Sequence, residues 1–132
     1  MITILLKKIV TLLTSISHKD FGASVEDITD DITIDFTKIQ EETNRLSVFK
    51  YGSVIDVNIR AWRAAQYLSS DGIIATGFPI PKEPVFGVLY DCEHMRIIGF
   101  ELTQYGELKL TTGWNNGYLG ENTFSYIVEE LT

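Results

Sequence analysis

The chain has 132 residues, of which 45% are apolar and 11% aromatic, and carries a formal net charge of −7. That length holds one domain with a buried core and is too short for a catalytic domain plus a regulatory one, and the apolar content excludes wholesale disorder. The charge is uneven: residues 1–19 carry three lysines and no acid, whereas the remainder carries eight bases against eighteen acids, a surface that repels a phosphate backbone and argues against nucleic acid as a partner.

The opening run MITILLKKIVTLLTSI has helical rather than strand periodicity. On a heptad it places Ile2, Ile9 and Ile16 at a, Leu5 and Leu12 at d, and Leu6 and Leu13 at e, the pattern that knobs-into-holes packing requires. Lys7 and Lys8 interrupt the apolar run, so it falls short of the roughly 20 residues of a membrane span, and no cleavage site of a signal peptide follows it. The spacing predicts an amino-terminal helix over residues 1–19 that associates with copies of itself. Packing on its own β domain or lying on a membrane surface are the alternatives. Residues 20–31, rich in acids and containing Gly22, read as a linker or neck, too irregular for a calcium loop.

From residue 32 the period changes to two. Ile32, Ile34 and Phe36 alternate with Thr33 and Asp35 as a first strand. RLSVFKYG and SVIDVNIRAW then read as a hairpin turning at Lys50-Tyr51-Gly52, with Ile55, Val57 and Ile59 on one face. RAWRAAQYLSS reads as the end of that strand and a turn. IIATGFPIPKEP holds all three prolines and is expected to be an extended crossing loop, since proline has no donor for a central ladder. Three short strands follow, VFGVLY, MRIIGFEL and ELKLTT: Ile98, Phe100 and Leu102 face one way in the second, Leu108 and Leu110 in the third. A Gly- and Asn-rich loop, GWNNGYLGEN, leads to a closing strand with Phe124, Tyr126 and Val128 on one face. About eight strands at this spacing predict a mainly β fold, an antiparallel β-sandwich or jelly roll over residues 32–132.

Chemistry is sparse. The lone Cys92 excludes an internal disulfide and an all-cysteine metal site. His18 and His94 lie far apart without metal-ligand spacing, and Cys92 with His94 lacks an orienting group for nucleophilic catalysis. Asp56, Asp91, Glu101 and Glu107 are expected on outer faces or turns rather than as an opposed acid and base pair. No metal, cofactor or catalytic residue is therefore expected. The loop residues Trp114, Asn115, Asn116 and Tyr118 are candidates for ligand contact, with an aromatic face for a sugar ring and amides for its hydroxyls. Trp62 and Tyr67 form a second aromatic group. The alternative is that Trp114 packs at the domain edge and Asn115-Asn116-Gly117 is a hairpin turn.

The succession NRLSVFKYGSVIDVNIRA, IIATGFPIPKEPVFGVLY, MRIIGFELTQYGELKL and a closing FSYIVE, about two thirds of the chain, resembles the carboxy-terminal β-sandwich domain of tailed-phage and prophage tail-fibre, baseplate or minor structural proteins. The resemblance implies a homotrimer with a helical stem, whose heads bind host cell-wall polysaccharide or another virion protein. The protein would then be made in the bacterial cytoplasm and placed in the tail or baseplate. The heptad alone suits a dimer equally, so the trimer comes from the resemblance. A purely structural assembly module is the runner-up, and a small glycan-processing enzyme the third expectation.

Overall fold

The computed structural model describes Lys7 and residues 25–129. The helix expected over residues 1–19, with Ile2, Leu5, Leu6, Ile9, Leu12, Leu13 and Ile16, lies outside the described residues apart from Lys7.

Nine strands are present among the described residues: β1 (Val25–Asp27), β2 (Thr33–Ile34), β3 (Arg45–Tyr51), β4 (Val54–Arg63), β5 (Ile73–Thr76), β6 (Val85–Asp91), β7 (Arg96–Leu102), β8 (Leu108–Leu110) and β9 (Tyr118–Ile127). They form one antiparallel sheet in the order β1-β3-β4-β9-β6-β7-β8-β5-β2, curled into a half-barrel. A mainly β, antiparallel domain is thus what the alternation foretold.

Residues on alternate positions fill the concave side. In β4, Ile55, Val57 and Ile59 are buried; in β7, Ile98, Phe100 and Leu102; in β8, Leu108 and Leu110. Leaving the core side empty of polar groups is what makes these strands pair in one register, because a slip of one residue would turn every apolar side chain to water. The alternation in β4 reverses past Ile59, so that Trp62 and Ala64 are the next buried residues. Ala61 sits at the reversal with φ 59°, a left-handed backbone that switches the following side chains to the other face. Trp62 thereby enters the core, where its indole N–H donates to the Arg45 carbonyl at 2.9 Å.

Three elements differ from the sequence expectation. The acidic stretch 20–31 contains β1, which pairs with β3 from Val25↔Tyr51 to Asp27↔Phe49, followed by a single 3-10 turn at Thr29–Asp31. The first strand shrinks to β2, because Asp35 caps the turn at Thr37 through its side chain and ends the extended run, leaving Phe36 in that turn. The expected crossing loop opens with β5, four residues with Ile74 and Ala75 buried, which pairs with β8 and β2. Its prolines lie after the strand, and the loop is fastened where Tyr126 donates its hydroxyl to the Pro79 carbonyl at 2.8 Å. Desolvation holds that hydroxyl protonated well above the ordinary tyrosine range.

Strand β9 is the seam of the sheet. It pairs along most of its length with β4 but meets β6 only at Asp91↔Leu119. Beyond that point the Asn122 side chain takes over from the backbone ladder, accepting from Tyr90 N at 2.8 Å and donating to Tyr90 O at 3.3 Å. Two half-sheets therefore splay apart from a common hinge at Asp91.

Candidate functional site

At that hinge the carboxylate of Asp91 is wholly buried, which corrects the expectation of an outer-face or turn position. A buried charge survives only when its lone pairs are filled. Here Oδ1 accepts from the backbone N–H of Glu93 at 3.0 Å, of His94 at 3.2 Å and of Tyr118 at 3.2 Å. Oδ2 accepts from Arg96 Nε at 2.9 Å and Trp114 Nε1 at 3.2 Å, and His94 Nδ1 lies 3.4 Å away. Burial alone would raise the carboxyl pKa. The Tyr118 N–H, the Arg96 guanidinium, the His94 N–H and the Trp114 indole outweigh it and hold Asp91 well below the usual carboxylate range. A carboxylate so fully engaged is a structural anchor and has no free lone pair for taking a substrate proton.

The anchor clamps the loop between β8 and β9 at several points. Trp114 is held through its indole and Tyr118 through its backbone, while Arg96 also donates to the Asn115 carbonyl. Gly117 is required because a Cβ there would lie 2.0 Å from Asp91 Oδ2 and 2.1 Å from Trp114 Nε1. Trp114 also exchanges backbone hydrogen bonds with Leu68, each 2.8 Å, tying this loop to the segment after β4.

The result is an end of the sheet, cross-tied by these hydrogen bonds, that displays amides. A groove of about 220 Å³ is lined by Gln40, Ala64, Ala65, Gln66, Tyr67, Asn115 and Asn116. Tyr67 is 65% exposed, so its ring is presented to solvent rather than packed. Gln66 is oriented by donating from Nε2 to the Thr37 carbonyl at 3.0 Å. No charged side chain lines the groove, so its polar surface consists of side-chain amides and the Tyr67 hydroxyl.

Of the candidates named from sequence, Asn115 and Asn116 are exposed and reach this groove. Trp114 has no exposed surface, so its ring is core and offers no face to a ligand. Tyr118 is half-buried with the Arg63 guanidinium 4.9 Å over its ring, and Arg63 in turn pairs with Glu93 at 3.0 Å. Tyr67, noted as part of an aromatic group, is the exposed one, while its companion Trp62 is buried. Gln40 and Gln66 were not singled out. Nothing local marks them, since Gln40 reaches the groove only through the antiparallel bridge between Ile39 and Ala64.

A larger cleft of about 530 Å³ opens where β9 and β6 diverge, lined by residues 82–85 and Ser125, Tyr126 and Ile127. It is a shallow trough in which the Tyr126 hydroxyl is already committed to Pro79 and Ser125 to Asp56, leaving Lys82 and Glu83 as its charged lining. Elsewhere, Cys92 and His94 face different partners, the thiol lying 3.5 Å from the Tyr118 carbonyl and the imidazole beside Asp91. Among the described residues, no three His, Cys, Asp or Glu side chains converge on a common point, and no helix is long and apolar enough to cross a membrane. Comparison with protein-family models finds no match to the chain, and comparison with curated proteins finds no significant similarity.

Proposed function

We propose that this chain is the saccharide-binding head of an oligomeric structural protein of tailed-phage type, resident in the tail or baseplate of the virion and acting by binding rather than by catalysis. The sandwich-like head and the amino-terminal stem helix belong to the same proposal. The observation that carries it is the amide groove: an exposed aromatic face at Tyr67 beside Gln40, Gln66, Asn115 and Asn116, the last two on a loop fastened to a buried carboxylate and its arginine. A sugar ring offers an apolar C–H face to an aromatic ring and a rim of hydroxyls that amides can both donate to and accept from. Preformed placement of those amides lowers the ordering cost of binding. The biological setting rests on the resemblance of the sequence segments to phage head domains and on nothing in the fold itself.

Titration of the full chain against purified bacterial cell-wall polysaccharides, followed by calorimetry, tests the proposal. Binding is expected, with Tyr67→Ala and Asn116→Ala each weakening it about tenfold or more, some 1.4 kcal/mol, and Lys82→Ala, in the remote trough, leaving it unchanged. No binding to any of the polysaccharides, or full affinity in Tyr67→Ala, would refute it. A purely structural assembly role is the second reading, favoured by an apolar stripe on the convex face of the sheet.

A further inference from the structure

Of the four arginines in this acidic chain, two are matched to acids: Arg63 pairs with Glu93 at 3.0 Å and Arg96 with Asp91 at 2.9 Å. Arg45 and Arg60 are not. They are direct partners across the β3–β4 ladder, with side chains on the face turned away from the buried Val48, Val57 and Ile59. Among the described residues neither meets a carboxylate, and Arg45 donates only to the neighbouring Asn44 carbonyl, at 2.9 Å. Like charges directly opposite on one sheet face repel each other. The fold therefore holds two guanidinium groups side by side without supplying a counter-charge.

The same two arginines line a cavity of about 340 Å³ together with Leu46, Ser47 and Asn58. Ser47 and Asn58 are themselves cross-strand partners on that face, so a hydroxyl and an amide lie next to the pair of charges. The side-chain oxygen of Asn58 is buried and accepts from no donor. A buried acceptor left in that state is costly, and native structures rarely tolerate one without a reason. Arg60 also has Glu121 as its partner on β9, but Glu121 forms no ion pair with it and does not line the cavity. On the other side β1 pairs with β3 only from Phe49 to Tyr51, which leaves Arg45 and Ser47 at the margin of the sheet.

Arginine forks match the oxygens of phosphate and carboxylate groups, which they bind in bidentate fashion. The unpaired Asn58 oxygen calls for a donor beside that group, and a hydroxyl is one. We propose that this cavity binds a hydroxyl-bearing oxyanion of monosaccharide size, a sugar phosphate or a sugar acid, with the anionic group on Arg45 and Arg60 and a neighbouring hydroxyl donating to Asn58. The cavity shares no residue with the amide groove. It is a second site, beyond the function proposed above, and either can fail without the other.

Calorimetric titration of the full chain at low salt with glucose 6-phosphate, glucuronate, glucose and inorganic phosphate tests it. At least one of the two acidic sugars is expected to bind about tenfold or more tightly than glucose or inorganic phosphate, and to weaken as salt is raised. Binding of one acidic sugar alone assigns the anionic group as phosphate or as carboxylate. Arg60→Gln and Asn58→Ala are each expected to weaken that binding about tenfold, whereas Lys82→Ala, a base outside the cavity, leaves it unchanged. Because Arg60 is exposed and has no protein partner, the urea midpoint of Arg60→Gln is expected to equal or exceed that of wild type. Absence of binding by both acidic sugars overturns the inference. So does glucose or inorganic phosphate binding as tightly as the better acidic sugar, full affinity in Arg60→Gln, or a lower urea midpoint in that variant, the sign of a guanidinium kept for structure.

Discussion

Replacing Asp91 by Asn tests whether a single buried carboxylate holds the two half-sheets and the β8–β9 loop together. The amide keeps the size of the side chain and one oxygen, which can still serve the N–H groups of Glu93, His94 and Tyr118. Its NH2 must then stand where Oδ2 accepts from Arg96 Nε at 2.9 Å and Trp114 Nε1 at 3.2 Å. Donors would face a donor, and the half-exposed Arg96 would lose its counter-charge. Breaking a buried ion pair from one side costs about 3–5 kcal/mol, a large share of the roughly 5–15 kcal/mol that stabilises a domain of this size. Urea unfolding monitored by tryptophan fluorescence is the assay, because Trp114 is itself a member of the cluster. The expected result is a lower midpoint at unchanged slope.

The pH dependence follows with the same sign. The folded pKa of Asp91 is depressed relative to about 3.9 for an unfolded aspartate. Its contribution is therefore complete above that value and is lost as pH falls through it toward the folded pKa. Wild type is expected to weaken below about pH 4 more steeply than the Asn variant, which has no such group to protonate. A loss of less than about 1 kcal/mol at neutral pH, the size of one ordinary hydrogen bond, would refute the assignment of Asp91 as the anchor.

Two further outcomes follow from the packing. Gly117→Ala is expected to cost about 2–3 kcal/mol, since its Cβ would overlap Asp91 Oδ2 and Trp114 Nε1, and a thermal melt measures it. Tyr126→Phe removes one hydrogen bond to Pro79, worth about 1 kcal/mol at neutral pH. Because burial raises the folded Tyr126 pKa, the unfolded chain ionises first and wild type loses stability as pH climbs above about 10. The Phe variant lacks that alkaline component, which urea midpoints on both sides of that pH would show.

Much of the sheet was legible because the period of a half-buried strand and the pattern of its burial are one property. Ile55, Val57 and Ile59 in β4, and Ile98, Phe100 and Leu102 in β7, announce their strands and their inward faces by alternation alone. The rule fails where local chemistry competes with it. Ile32, Ile34 and Phe36 alternate equally well, yet the Asp35 side chain turns the chain and leaves β2 two residues long. β1 lay hidden in an acidic stretch because an exposed edge strand needs no apolar face, only a partner's backbone. Prolines drew attention away from β5, although all of them lie beyond it.

The site was legible only in part, for the same reason of range. That an aromatic and amide-rich loop stands before the last strand is local and was plain from residues 114–118. Which aromatic ring sinks and which is displayed depends on partners far along the chain: Trp114 is drawn inward by Asp91 and Leu68, while Tyr67 has no buried acceptor and stays outside. The sequence by itself determined that this chain is a mainly antiparallel β domain, since strand period and burial are local. Tertiary structure decided that β9 lies between β4 and β6, that Asp91 becomes the buried hinge, and that Gln40, Gln66, Tyr67, Asn115 and Asn116 share one groove. Those outcomes follow from pairing between residues tens of positions apart, where hydrogen-bond satisfaction and packing, and no local pattern, choose the neighbour.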